Sequence, residues 1–181
     1  MQANGHAAAV EMAKGALAGA VGVLALDGVA ELLWRRENPR TRARERAGRP
    51  EGIDPAHLAA RRVARLIGRR GAVRRPGPGG TAVHWGLGVV PGAAYALLRH
   101  RARPLAAGRG TLFGLGLFLL QDELFNRLLR LAGPLRAYPW QAHVRGLVAH
   151  TVFGAATDLA LRAMDRAAAA RAPALPANFA G

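Results

Sequence analysis

Four long apolar stretches, separated by charged ones, organise the chain: residues 15–34, 81–98, 110–131 and 143–161. Each has about the length an α-helix needs to cross ~30 Å of hydrocarbon. Strand-like alternation is missing, and β-branched residues are scarce beside Ala, Leu and Gly, so the stretches predict helices. The first, Gly15-Ala-Leu-Ala-Gly-Ala-Val-Gly-Val-Leu-Ala-Leu26, is apolar all round rather than striped. The second holds one group that titrates near neutrality, His84, and the third is interrupted by Gln121-Asp122-Glu123. Small-residue ladders, Gly15/Gly19, Gly88/Gly92 and Gly110/Gly114, suit close helix approach in lipid.

A water-soluble helical bundle is the rival reading. An Asp near a bilayer centre costs roughly 2.5–3.5 kcal/mol, whereas each Leu returns only about 0.5. Against that rival, each ladder glycine would cost about 1 kcal/mol in an exposed soluble helix. Asp27 sits where the cleavage site of a signal peptide would stay small and neutral, so the first stretch reads as a retained span. The expected fold is all-α: a four-transmembrane-helix bundle forming one domain over residues 1–171, followed by a flexible tail, 172–181, with Pro173 and Pro176.

Charge adds orientation. The chain carries 26 Lys+Arg against 11 Asp+Glu, a formal net charge of +15. Lys14 is the only lysine, a bias that GC-rich codons produce, so position says more than the choice of cation. Residues 35–75 hold 14 Arg against Glu37, Glu45, Glu51 and Asp54. Within this segment, 54–68 predicts an amphipathic helix with Asp54 as N-cap and Pro55 at the first position. Leu58, Ala59, Val63, Leu66 and Ile67 share one side of its wheel. Arg61, Arg62, Arg65 and Arg69 share the other, poised for anionic lipid headgroups or an acidic partner. Pro76-Gly-Pro-Gly-Gly80 breaks the chain before the second span. The first and third connections carry 17 Arg, the other side eight Lys and Arg. The positive-inside rule then puts the basic loop, 35–80, in the cytoplasm and both termini in the periplasm of a bacterial inner-membrane protein.

Composition also excludes classes. Without Cys there is no disulfide framework, thiolate nucleophile or iron–sulfur cluster. The basic loop has no aromatic side chain for base stacking, so nucleic acid is not an expected partner. No GxSxG, P-loop or GxGxxG motif occurs, and no enzyme activity is expected.

Antiparallel spans bring eight ionisable groups to the half of the bundle that bears the basic loop: Asp27, Glu31, His84, Asp122, Glu123, His143, Arg145 and His150. Asp158 sits alone toward the other end. Such groups normally face the bundle interior and pair. One reading is a structural lock, with Glu31 on Arg35, Glu123 on Arg127, and Arg145 on Asp27 or Asp122. Another is proton handling, since histidines titrate near neutrality. A metal site from His84, His143 or His150 with Asp122 or Glu123 has suitable ligand types but no HExxH or ExxH spacing. Bis-histidine haem ligation by His84 and His150 is a further alternative. No metal or cofactor is assigned. The glycine ladders also permit a homo-oligomer or a membrane-protein partner.

Three stretches carry a family resemblance. They are His84-Trp-Gly-Leu-Gly-Val-Val-Pro-Gly-Ala-Ala-Tyr95, Gly114-Leu-Gly-Leu-Phe-Leu-Leu-Gln-Asp-Glu123, and Tyr138-Pro-Trp-Gln-Ala-His143 leading to His150-Thr-Val-Phe-Gly154. Together they resemble the YagU-like family of small bacterial inner-membrane proteins, over roughly residues 14–161. The resemblance implies an integral membrane protein of three or four helices linked to acid tolerance. It carries no catalytic residues over to this chain.

Overall fold

The computed structural model describes residues 2–68 and 77–171. Arg69, Pro76 and the expected tail 172–181 lie outside the described residues. Within them all regular structure is helical, as expected. In chain order the helices are α1 (Gln2–Arg36), α2 (Pro39–Gly48), α3 (Pro55–Leu66), α4 (Pro78–Leu98), the single turn α5 (Arg103–Ala106), and α6 (Thr111–Leu117). A π-helical stretch, Phe118–Phe125, continues α6 into a last turn, α7 (Asn126–Leu128). The closing helix is α8 (Trp140–Arg171).

Local chemistry sets these ends. Asn38 caps α2 by accepting from Thr41 N at 2.9 Å, with Pro39 at the first position. Asp54 and Pro55 do the same for α3, where Asp54 accepts from His57 N at 3.1 Å, as the sequence predicts. Gly110 begins α6 with φ of 85°, a conformation that β-carbon-bearing residues resist. α1 is longer than the predicted span, 35 residues or about 52 Å, because the Ala-rich lead-in 2–14 propagates the helix outward.

The helices pack through their glycines. α1 lies against both α4 and α8, α8 also lies against α6, and α3 folds against α4. At the α1–α4 crossing, a β-carbon on Gly15 would lie 2.5 Å from Gly92 O, and one on Gly19 2.7 Å from Gly88 O. At the α6–α8 crossing, a β-carbon on Gly114 would meet His150 O at 2.0 Å. All three predicted ladders are thus occupied within the chain, between its own helices. Above the seams, Tyr95 stacks on Phe113 with ring centroids 4.4 Å apart, and Phe113 meets Phe153 at 5.9 Å.

Among the described residues the other large buried apolar side chains are few, Leu58, Phe118, Leu131 and Leu161. Leu17, Leu24, Val90, Leu119, Leu128 and Leu159 point outward and are exposed. Among the described residues two helices are long and apolar enough to cross a membrane, α1 over Gly5–Arg36 and α4, and only 22% of the most apolar window of each is buried. The third predicted span, 110–131, is instead a helix in three segments, because its Gln121-Asp122-Glu123 interruption sits in the π-helical stretch. The fourth carries Arg145 and Asp158 within α8.

Candidate functional site: a carboxylate–histidine cavity

The π-helical stretch is where the chain departs from regular geometry, and it holds the two adjacent carboxylates. Such insertions concentrate at functional sites because they re-aim side chains and free backbone carbonyls. Arg127 takes up the freed groups, with Nη1 donating to Asp122 O at 2.8 Å and Glu123 O at 2.7 Å. Glu123 then faces two partners: its Oε2 lies 2.8 Å from Arg127 Nη1 in an ion pair, and its Oε1 lies 2.8 Å from His143 Nδ1. The second imidazole nitrogen of His143 points at Leu135 O, 3.4 Å away.

Asp122 meets the other histidine of α8. Its Oδ2 lies 3.8 Å from His150 Nδ1, and Asn126 donates to its Oδ1 at 3.3 Å. His150 Nδ1 donates to Gly146 O at 3.0 Å, so in the neutral ring the hydrogen is on Nδ1 and Nε2 keeps its lone pair. Gly146 gives these groups room, since a β-carbon there would sit 2.8 Å from the Phe118 ring.

Two partly open pockets surround these pairs. One cavity of about 250 Å³ is lined by Asp122, Glu123, Arg127, His143, Arg145 and His150, among others. A second, of about 350 Å³, is lined by His84, Leu87, Gln121, Asp122, His150 and Phe153. The two share Leu26, Pro55, Asp122 and His150, so the Asp122–His150 pair stands between the chambers. His84 on the second chamber holds Asp27, with Nε2 to Oδ1 at 2.9 Å.

Seven of the eight predicted polar residues therefore gather around this region. Glu31 does not: it turns outward and pairs with Arg35 at 2.7 Å, both side chains being exposed. The predicted pairs Glu31–Arg35 and Glu123–Arg127 are present. Arg145 is a correction. It binds neither Asp27 nor Asp122 but Glu37 and Glu45, both nearly fully buried. The reason is that α2 folds back on the bundle end and brings Glu45 beside Glu37, a denser anionic partner than Asp27 or Asp122 alone.

The basic helix α3 is a second correction. Arg61 pairs with Glu51, and Arg62 donates to the carbonyls of Leu129 and Arg130. Both were expected to face headgroups. Instead Arg61 is taken by the Glu51 carboxylate and Arg62 satisfies carbonyls left open where α7 ends, while Arg65 remains exposed. Of the predicted apolar side, Leu58 is buried, whereas Val63, Leu66 and Ile67 are exposed. The fourth arginine of that face, Arg69, lies outside the described residues.

A further polar layer occupies the opposite end. Asp158 is fully buried, accepts from Tyr95 OH at 2.7 Å and pairs with Arg162 at 2.5 Å. Asp165 binds Arg99 and, at 3.0 Å, Lys14, which also holds Glu11 at 2.6 Å. Partial burial pushes the Asp165 carboxyl up, but hydrogen bonds from Arg99 and Lys14 outweigh it and hold the group below the usual carboxylate range. Asp158 was read as solitary. The missed signal was spacing: Asp158/Asp165, Tyr95/Arg99 and Glu11/Lys14 are i,i+7, i,i+4 and i,i+3 pairs.

Among the described residues, no three His, Asp or Glu side chains converge to hold a metal ion. Searches of protein-family models, curated proteins and solved structures find no match to this chain.

Proposed function

We propose that the chain is a four-span protein of the bacterial inner membrane, with both termini periplasmic. It acts without enzymatic turnover, through proton-dependent rearrangement of the carboxylate–histidine cavity, in tolerance of acid or envelope stress. The observation that carries this reading is the pairing across the cavity: Asp122 with His150, and Glu123 with His143. Histidine is the side chain suited to sensing pH near neutrality, and each of these two lies beside a carboxylate on a helical segment of non-standard winding. His143 has an acceptor at both ring nitrogens, so an imidazolium satisfies both and a neutral ring only one. The outward apolar faces supply the lipid contact, and Glu123, His143, Arg145 and His150 face inward, as ionisable groups in spans do. The stretches that resemble the YagU-like family contain His84, Asp122, Glu123, His143 and His150, which supports extending that family's acid-tolerance link to this chain.

The test is thermal stability in detergent as a function of pH. Wild type is expected to change between pH 5 and 8, and the Asp122→Asn/His150→Gln variant to lose most of that change. Asp165→Asn serves as the contrast. Because the folded Asp165 binds its proton only at lower pH than an unfolded Asp, its stabilisation is fully present above about pH 4. It is lost as pH falls further, so this variant keeps the pH 5–8 profile. A profile unchanged by Asp122→Asn/His150→Gln overturns the proposal.

A further inference from the structure

The bundle end nearest the basic loop carries a feature that the cavity does not use. Trp34, in the last turn of α1, is ringed by four guanidinium groups: Arg145 at 4.9 Å from the ring centroid, and Arg42, Arg46 and Arg49 at 6.0 Å. An aromatic face attracts cations, yet four of them require anions as well. Two are present. Arg145 is held by Glu37 and Glu45, and Arg49 by Glu45 at 2.8 Å. Arg42 and Arg46 have no carboxylate partner among the described residues. They lie one turn apart on α2, where like charges disfavour the helix. Four guanidiniums against two carboxylates leave a surplus of two positive charges at one ring.

The surroundings fit a membrane interface. Trp is a residue of that interface, and the outward Leu32 just below Trp34 is exposed. An open groove on one side of the ring is lined by Asp27, Ala30, Glu31, Trp34, Arg49 and Arg145, while Arg42 and Arg46 approach the ring from outside that groove. Its two acids are already engaged, Asp27 by His84 and Glu31 by Arg35. Guanidinium forks match phosphate oxygens in pairs, which an ammonium does not. On α3, Arg61 is taken by Glu51 and Arg62 by the carbonyls of Leu129 and Arg130, which among the described residues leaves Arg65 without an aromatic ring or a second unpaired arginine beside it.

We propose that Arg42, Arg46 and Trp34 form a binding site for the phosphate of an anionic phospholipid headgroup, a proposal that rests on the membrane reading above. The two arginines supply the charge and the donors. Trp34 sets the depth, with its ring at the level where headgroup meets chain. Arg145 and its two glutamates fix the ring and hold α2 in register over it.

The experiment titrates the detergent-solubilised full chain with short-chain phosphatidylglycerol, short-chain phosphatidylcholine and inorganic phosphate, following the melting midpoint. Phosphatidylglycerol is expected to raise the midpoint at concentrations at least tenfold below phosphatidylcholine, with an effect that weakens in salt. Arg42→Gln/Arg46→Gln should abolish that preference and leave the lipid-free midpoint at or above wild type. Arg65→Gln, at another exposed arginine, should change nothing. A preference that survives the double substitution, or is missing from wild type, overturns the site. Inorganic phosphate producing the same shift overturns the lipid assignment. Alkaline carbonate extraction of the wild-type chain separates the two levels. A chain that washes out of membranes contradicts the membrane reading, whereas one that stays but ignores headgroup charge contradicts this site alone.

Discussion

Replacing Arg145 with leucine should cost about 3–5 kcal/mol of stability, the scale for removing one partner from a buried ion pair. Glu37 and Glu45 are left as desolvated carboxylates, at 9% and 6% side-chain exposure, with Arg49 the only remaining cation bound to Glu45. Stacking on Trp34 is lost as well. The triple variant Arg145→Leu/Glu37→Gln/Glu45→Gln should recover much of the loss, because the uncompensated charges go with the arginine. Arg35→Leu provides the comparison: its pairing with Glu31 is exposed, and its removal should cost no more than about 1 kcal/mol. Denaturation of the three variants in one detergent checks the order. Equal losses for Arg145→Leu and Arg35→Leu contradict the buried network.

The second large effect is steric. Gly114→Ala places a methyl group 2.0 Å from His150 O, a backbone atom that moves only if α8 moves. The expected cost is about 1–3 kcal/mol, with the α6–α8 seam opening beside the cavity. Two residues along, Gly116 has nothing within 4 Å of the same position. Gly116→Ala should therefore be neutral or stabilising by up to about 1 kcal/mol, the ordinary gain of Ala over Gly in a helix. A pair of melting curves decides it, and equal behaviour of the two variants contradicts the close approach of α6 to α8.

These two regions show how far the sequence could be read. The glycine ladders were legible because small residues four apart have one physical use, letting backbones approach, and all three serve it. The Asp122, Glu123, His143 and His150 convergence was legible because antiparallel packing of consecutive helices fixes depth along the bundle without any knowledge of side-chain contacts. Arg145 was placed at the right depth with the wrong partners. Depth does not reveal that a charged loop folds back, and the return of α2 depends on a few contacts of Glu45 and Trp34. The arginines of α3 failed for a related reason. A helical wheel separates two faces but does not say which one meets protein, and the open carbonyls at Leu129 and Arg130 are invisible in sequence. The π-helical winding had no signature beyond the polar interruption that it accommodates.

The central claim is that lipid surrounds the outward apolar faces while water reaches only the polar interior. The natural absence of cysteine makes it directly testable. Single substitutions Leu17→Cys, Val90→Cys and Leu120→Cys, at outward positions on α1, α4 and the π-helical stretch, are compared with Arg65→Cys on the basic segment. In sealed inside-out membrane vesicles treated with a water-soluble maleimide, the first three should stay unlabelled until the membrane is dissolved and denatured, while Arg65→Cys reacts at once. Rapid labelling of Leu17→Cys, Val90→Cys and Leu120→Cys in intact vesicles would contradict the account.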